Sequence, residues 1–501
     1  MSSFRLIKFL PLLVGLIGST TATPYAVNLR RQNATWPSEI ADEAHGPDWP
    51  EFVNKTTRWS TYEAPTFNEV FLPETEDDLS LGLQYLASIN RTWLAKSGGH
   101  GYSPTLHSIQ NGVLINMENF DYVNINSDNT VTVGTGARFD ELTAVVGGAG
   151  REITIGACPC VGALGAMLGG GLGRFQGLHG LTSDALRSAR VVLWNGTVVE
   201  ASDDVNQDLF WGLRGAGQNF GIVTEAVFET FEATNGGMQY SADLSFTIDK
   251  LEQVFDTNNE LLANGLDPAL ALVTAVGSDP TSLETLIFVN IVYPGPEEKG
   301  QEITALYSNF SSSISEHYVQ WTDLATVALP GIVQSGCPTG RRANQYSVMT
   351  KTLPTETFRA AADSYTEFIQ ANPGANTSVI FIETFGQEAL RALPDDYSAF
   401  PHRDAFDNAV VLSMTYWDDV YADAADAWGL EWRDKIAQPE VSGYDKLSVY
   451  QNYAHDDEPL SALYGFDAWR HERLTALKTS YDPEGHFNGY HAVPADLASW
   501  S

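Results

Sequence analysis

The chain has 501 residues, 43% of them apolar, which allows a large core and about three folding units by length. Charged residues are only 18%, yet 63 acidic side chains face 28 basic ones, a net charge of −35. With a pI near 4.4 and no Lys/Arg-rich run, nucleic acid is set aside as a partner, and the balance suits a soluble protein in acidic surroundings.

Residues 1–22 read as a secretory signal peptide. Arg5 and Lys8 precede an apolar stretch from Phe9 to Ile17, and Ser19, Thr20, Thr21 and Ala22 offer a small-residue cleavage site. The stretch is shorter than the ~20 residues a bilayer span needs, and no later apolar run is long enough for one. A buried N-terminal helix is the alternative. The expected location is outside the cell or in the secretory-pathway lumen, the vacuole included. Six Asn-X-Ser/Thr sequons, at Asn33, Asn54, Asn90, Asn195, Asn309 and Asn376, predict N-glycans. Cys158, Cys160 and Cys337 are too few for a disulfide scaffold, and the odd count leaves one sulfur needing another use.

Residues 23–66 read as a polar, irregular arm. The spacing of Leu79, Leu81, Leu83, Leu86 and Ala87 predicts a helix over 74–88, with Thr75 or Asp77 as N-cap. Short strands are expected at Trp93–Ala95, Val113–Met117 and Thr130–Val133. A glycine-crowded stretch runs over 134–180. Two strands, 189–194 and 197–200, flank a tight Asn195-Gly196 turn, and a further strand over 221–230 closes a first unit near residue 235. Residues 236–445 mix strand-like and helix-like stretches with less glycine. From Lys446 the character changes again, with a helix stop at Tyr481-Asp482-Pro483. There is no internal repeat.

The sequence lacks Gly-x-Gly-x-x-Gly, a P-loop, His-Glu-x-x-His, Gly-x-Ser-x-Gly and zinc-spaced Cys/His clusters. That disfavours a Rossmann dehydrogenase, a kinase, a zinc protease and a lipase. Two glycine-rich stretches remain. Lys96-Ser97-Gly98-Gly99-His100-Gly101 could close its main-chain N–H groups on a diphosphate, or be a turn with a solvent-facing histidine. Gly156-Ala157-Cys158-Pro159-Cys160-Val161-Gly162, followed by Gly165 and Gly169 to Gly173, carries a cysteine that could be reactive or simply a buried thiol.

These motifs, in this order, resemble the berberine-bridge-enzyme-like oxidoreductases of the vanillyl-alcohol-oxidase superfamily, with a PCMH-type FAD-binding domain. Further matching stretches are Asp208 to Gly217, Asn219 to Thr224, Pro401-His402-Arg403 with a distant Trp417, Tyr450-Gln451-Asn452-Tyr453, and Tyr481 through Phe487. The resemblance covers about residues 67–493. The form Leu168 to Leu181 is closest to the fungal secondary-metabolite branch and to fungal oligosaccharide oxidases. Lys96 departs from the family's frequent arginine, Ala166 from the plant members' histidine, and Phe487-Asn488-Gly489-Tyr490-His491 from the common Gln-Ser-Ile tail.

The resemblance implies an α+β fold: a two-subdomain FAD-binding domain over 67–235, a substrate domain over 236–445 with an antiparallel sheet flanked by helices, and a C-terminal segment, 446–501, packed back on the FAD domain. It implies FAD bonded to His100 at the flavin C8 methyl and to Cys158 at C6. The expected cofactor contacts are Lys96, Ser97, Gly98, Gly99, Gly101, Val161, Gly162, Gly165, Gly170, Gly171, Gly173, Gly221, Ile222, Val223 and Asn452. Cys160 and Cys337 remain as a pair or as two thiols. Tyr453 matches the family's tyrosine base, or packs as an aromatic. With a reference pKa of ~10 it needs a neighbouring cation or the flavin field to serve near neutral pH. Tyr450 is the runner-up, and Glu383 faces substrate or solvent. The implied reaction moves hydride from an alcohol or related C–H centre of a small organic substrate, a secondary-metabolite intermediate, to flavin, with O2 as acceptor. A carbohydrate oxidase and a flavin-dependent cyclase with little net redox are the alternatives.

Overall fold

The computed structural model describes residues 35–329, 336–404 and 407–500. The expected signal peptide and the Asn33 sequon lie outside them. The first sheet has the order β1 (Ala44–His45), β2 (Phe67–Phe71), β4 (Gly112–Asn116), β3 (Trp93–Lys96), with β2 and β3 both parallel to β4. β4 is buried along its whole length, which is why Gly-Val-Leu-Ile-Asn reads as an unbroken apolar run. The helix Glu76–Ser88 covers this sheet through Leu79, Leu83 and Leu86. Thr75, not Asp77, is its N-cap, in a reciprocal capping box with Asp78.

A second, antiparallel sheet has the order β5 (Val123–Ile125), β6 (Thr130–Gly134), β10 (Ile222–Glu229), β8 (Leu186–Val192), β9 (Val198–Ser202). Gly196 adopts φ +79° at the β8–β9 turn, a conformation that suits the expected Asn-Gly pair. A two-stranded ribbon joins β7 (Arg151–Glu152) to β11 (Phe231–Glu232).

The third sheet is antiparallel and seven-stranded, in the order β15 (Ser313–Gln320), β12 (Met238–Thr247), β14 (Thr285–Tyr293), β13 (Ala271–Ser278), β17 (Val379–Phe385), β18 (Asn408–Tyr416), β16 (Arg342–Thr350). Its side chains alternate. On β17, Ile380 and Ile382 join a core with Phe255, Phe358, Tyr365 and Trp428 from the helices Leu251–Ala263, Thr355–Ala371 and Ala422–Ile436. Phe381 and Glu383 point the other way and line a cavity. The helices therefore cover one face, and the other is left for a ligand.

The stretch expected to be an irregular arm is structured where described. It supplies β1 and a helix, Phe52–Thr56, and then runs beside the lead-in to β16. There Gly340 N donates to Arg58 O, Arg341 N to Trp59 O, and Thr61 N to Arg341 O. Its polarity hid this, because the pairing is through backbone.

After residue 446 the chain returns to the first half of the molecule. The helix Ala468–Tyr481 docks there through Lys478, whose Nζ donates to Asn219 O, while Arg470 donates to the carbonyls of Asp395 and Ser398, just before the Pro401-His402-Arg403 stretch. Asn219 in turn donates to Tyr464 Oη and accepts from Val493 N. Arg403, 1% exposed, makes a two-pronged pair with Asp184, which ties the Pro401-His402-Arg403 stretch to the glycine-rich region. No helix among the described residues is long and apolar enough to cross a membrane.

Candidate active site

The two glycine-rich loops touch. A Cβ on Gly98 would lie 2.4 Å from Gly162 N, and one on Gly162 would lie 2.2 Å from Ser97 Oγ. Only glycine lets both backbones approach so closely. Around them opens a cavity of about 1060 Å³. Its wall includes the whole Lys96–Gly101 loop, Cys158, Val161, Gly162, Gly165, Gly221, Ile222 and Val223 from the first half. It also includes Glu383 from the third sheet and Tyr450, Asn452 and Tyr453 from the C-terminal return.

Gly170, Gly171 and Gly173 are not on that wall. They sit beneath it: Gly170 packs on Phe400 and Leu181, Gly171 on Thr182, and Gly173 against the Ile155 carbonyl. Gly170 and Gly171 have φ of +124° and +82°, so the run shapes the backbone under the site rather than the site itself. Sequence reasoning also missed Arg58 and Trp59, which the arm delivers to the wall. Nothing in that polar stretch signals them.

His100 Nδ1 is buried without a hydrogen-bond partner, and burial lowers the ring's pKa to about 4. A neutral imidazole with an open nitrogen on a large cavity fits attachment of a ring carbon. Cys158 is a thiol on the same wall, its pKa raised by burial. Cys160 and Cys337 form a disulfide. Lys96 Nζ donates to Lys55 O at 2.7 Å, and burial, with Arg58 adding to it, lowers its pKa to about 8. Arg58 Nη2 donates to Gly101 O, and its Nη1 is buried without a partner beside the loop. The loop glycines, a buried arginine, a half-buried lysine and the unpartnered His100 nitrogen fit an FAD molecule, its diphosphate and its ring.

Of the two aids expected for Tyr453, a neighbouring cation or the flavin field, the protein places no cation against its hydroxyl among the described residues. That hydroxyl donates to Glu383 Oε2 at 3.0 Å, and burial together with that carboxylate holds its pKa well above the usual value. The anion of the pair is therefore Glu383. Its own pKa is raised to about 7 by burial, against the pull of the Tyr453 hydrogen bond and of Arg174. Arg174 is buried, and its Nη2 donates to Asn290 Oδ1 at 3.2 Å. Strand register places Glu383 opposite Val273, Val273 opposite Asn290, and Asn290 opposite Asp243, so these four side chains form one row. Asn290 Nδ2 donates to Asp243 at 2.9 Å, which makes Arg174 the cation over that row. A lone arginine inside a glycine run was the available signal.

Tyr450 is held by hydrogen-bond donors that favour its phenolate, against the effect of burial. Its oxygen accepts from Gly171 N, Leu172 N and Asn452 Nδ2, and burial raises its pKa to about 12. Asn452 Nδ2 also donates to Ala166 O at 2.8 Å, so Tyr450 and Asn452 fasten the C-terminal return to the helix Ala163–Leu168 and the glycine run after it. Trp417 is 68% exposed, and its Nε1 donates to Asn376 Oδ1.

Residues 68–202 match the family described as FAD binding domain. Fold and site together define an FAD-dependent oxidoreductase. Sequence comparison is specific beyond that. FAD-linked oxidoreductase OXR1 of Pyricularia oryzae is 34% identical over 97% of this chain and 99% of its own length. FAD-linked oxidoreductase srdI of Neurospora crassa is 32% identical over 96% and 97%. The chain belongs to this family of FAD-linked oxidoreductases. Solved structures share its fold. A xylooligosaccharide oxidase from Myceliophthora thermophila matches with a TM-score of 0.76, 24% identity, and coverage of 93% of this chain and 98% of that one. BBE-like 1 of Physcomitrella patens gives 0.77, 21%, 91% and 98%. A glucooligosaccharide oxidase from Acremonium strictum, described as carrying a 6-S-cysteinyl, 8α-N1-histidyl FAD, gives 0.76, 23%, 92% and 98%.

Proposed function

We propose that the protein is a secreted oxidase that takes hydride from an alcohol or related C–H centre of a small organic molecule, a secondary-metabolite intermediate, with O2 as the final acceptor and H2O2 as its product. The observation that carries this reading is the Tyr453–Glu383 hydrogen bond in the same cavity as His100 and Cys158. In this reading His100 and Cys158 tether the cofactor, and the Lys96–Gly101 loop, Val161, Gly162, Gly165, Gly221, Ile222 and Val223 embrace it. Bound FAD supplies the hydride acceptor.

Tyr453 takes the proton of the substrate hydroxyl while its own proton passes to Glu383. With a pKa of about 7, Glu383 is sufficiently ionised near neutral pH to accept it. Arg174 supports that ionised form, and Tyr450 and Asn452 hold the segment that carries Tyr453.

The third sheet adds Val273, Ala275, Phe288, Val379 and Phe381 to the wall, together with the polar side chains of Asp243, Ser245, Ser278, Ser313, Ser315, Gln345, Ser413 and Thr415. A wall with both kinds of lining takes an aromatic or alkyl-bearing substrate that carries several polar groups, and the sheet's hydroxyls and amide offer partners for them. Exposed Asn54, Asn90, Asn195 and Asn309 are the expected glycan sites. Asn376 is engaged through both amide atoms, donating to Pro280 O and accepting from Trp417.

The test is peroxide release by the holoprotein against aromatic alcohols, polyketide intermediates and oligosaccharides. Release with the first two classes supports the reading. Release with oligosaccharides alone makes the enzyme a carbohydrate oxidase, and product without peroxide makes it a cyclase.

A further inference from the structure

Three sulfur atoms cluster beside His100. Cys160 is bonded to Cys337, 177 residues away in sequence. Cys158 is a thiol, and its Sγ lies 3.4 Å from Cys160 Sγ. Cys160 Sγ lies 3.6 Å from His100 Nε2. Of Cys158 and Cys160, only Cys158 is on the cavity wall.

Two thiols that close oxidise readily to each other, and a cysteine beside a neutral imidazole is the readier thiolate. An unoccupied Cys160 would thus compete for Cys158. We propose that the Cys160–Cys337 disulfide is a protecting bond: it engages Cys160 so that Cys158 stays a thiol for attachment to the flavin. This rests on the reading of Cys158 as a tether.

The chemistry balances. Joining Cys160 to Cys337 removes two electrons and two protons, which a disulfide oxidant such as glutathione disulfide accepts to become two thiols. Without Cys337 the same exchange joins Cys158 to Cys160. Attachment of Cys158 breaks its S–H bond and a ring C–H bond and forms a C–S bond. Two electrons and two protons go to O2, giving H2O2.

The backbone near Cys337 is held independently of the sulfur. Gly340 N donates to Arg58 O at 2.8 Å and Arg341 N to Trp59 O at 2.9 Å, and Ser60 Oγ donates to Ala343 O. Loss of the disulfide therefore leaves the fold its other supports.

The experiment compares full-length holoprotein of the parent, Cys337→Ser and the double variant Cys160→Ser/Cys337→Ser. Each is digested without reduction, and the peptide holding positions 158 and 160 is sequenced by tandem mass spectrometry. The parent should carry flavin on Cys158. Cys337→Ser should lose it by about fivefold or more and gain a Cys158–Cys160 disulfide. The double variant, which also lacks the Cys337 bond, should regain the parental flavin level on Cys158. Full flavin on Cys158 in Cys337→Ser overturns the proposal. So does a double variant as depleted as the single one, because the disulfide would then act by holding the chain. A parent without flavin on Cys158 overturns the tether reading itself, and the proposal with it.

Discussion

Tyr453 Oη donates to Glu383 Oε2 across 3.0 Å, joining a residue of the C-terminal return to one in the middle of a central strand of the third sheet. The two share one proton between a buried phenol and a buried carboxyl. The pair joins a phenol whose pKa is held well above its usual value to a carboxyl that itself lines the cavity.

Tyr453→Phe tests the pair most directly. The ring keeps its edge contacts with Phe381 and Tyr450, so fold and flavin content should survive. Flavin reduction under anaerobic conditions should slow ~10²–10⁴-fold. A rate close to the parent's would move the base elsewhere.

Glu383 predicts a pH profile. Its carboxyl accepts a proton only when ionised, so the rate of flavin reduction should rise through about pH 7 and then level. Glu383→Gln should be slow at every pH and lack that limb. Stability follows the same group with the opposite slope. The folded pKa lies above the unfolded one, so the folded state binds more protons in between, and stability falls as pH rises from about 4.5 to 7. Glu383→Gln should therefore raise Tm at pH 8 and leave it nearly unchanged at pH 4. Equal shifts at both would refute the assignment.

The open Nδ1 of His100 predicts a flavin that stays with the protein after acid precipitation. His100→Ala should release more flavin into the supernatant, unless Cys158 alone retains it. In that case the absorbance spectrum should still change as the histidyl link is lost. Parent protein that surrenders all its flavin to acid would sink both tethers.

Gly162→Ala places a methyl 2.2 Å from Ser97 Oγ and 2.5 Å from Gly98 N. The backbone there cannot yield without separating the two loops. We expect a loss of about 1–3 kcal/mol in stability and a lowered flavin content after purification. Normal flavin loading would mean that the loops tolerate separation.

Glycan mapping should find Asn54, Asn90, Asn195 and Asn309 modified and Asn376 bare. An oligosaccharide on Asn376 would require its bonds to Trp417 and Pro280 to be broken.

Much of the first half was legible because its signals are local. A capping threonine, an Asn-Gly turn and runs of β-branched residues each act within a few positions, and the structure places elements there. The Ser-Gly-Gly-His and Gly-x-Cys-Pro motifs were legible for a different reason: close backbone approach restricts residue choice severely. The glycines at 170, 171 and 173 pack against Phe400, Thr182 and Ile155, and such packing restricts residue choice just as a ligand would. The partner of Tyr453 could not be read, since Glu383 meets it only through the third sheet's register. Arg58 and Trp59 were invisible because backbone pairing with residues 340–341 places them, and backbone pairing leaves no mark on composition.

Tyr453 follows both cofactor loops and Glu383 in sequence, and this sets the order in which the proposed site is assembled during synthesis. Both cofactor loops leave the ribosome first, then Glu383, and last the segment holding Tyr450, Asn452 and Tyr453. A chain cut short before that segment would carry the cofactor loops but neither the hydroxyl proposed as proton acceptor nor the Asn452 bond to Ala166. In the proposed mechanism, turnover therefore waits on synthesis past residue 453.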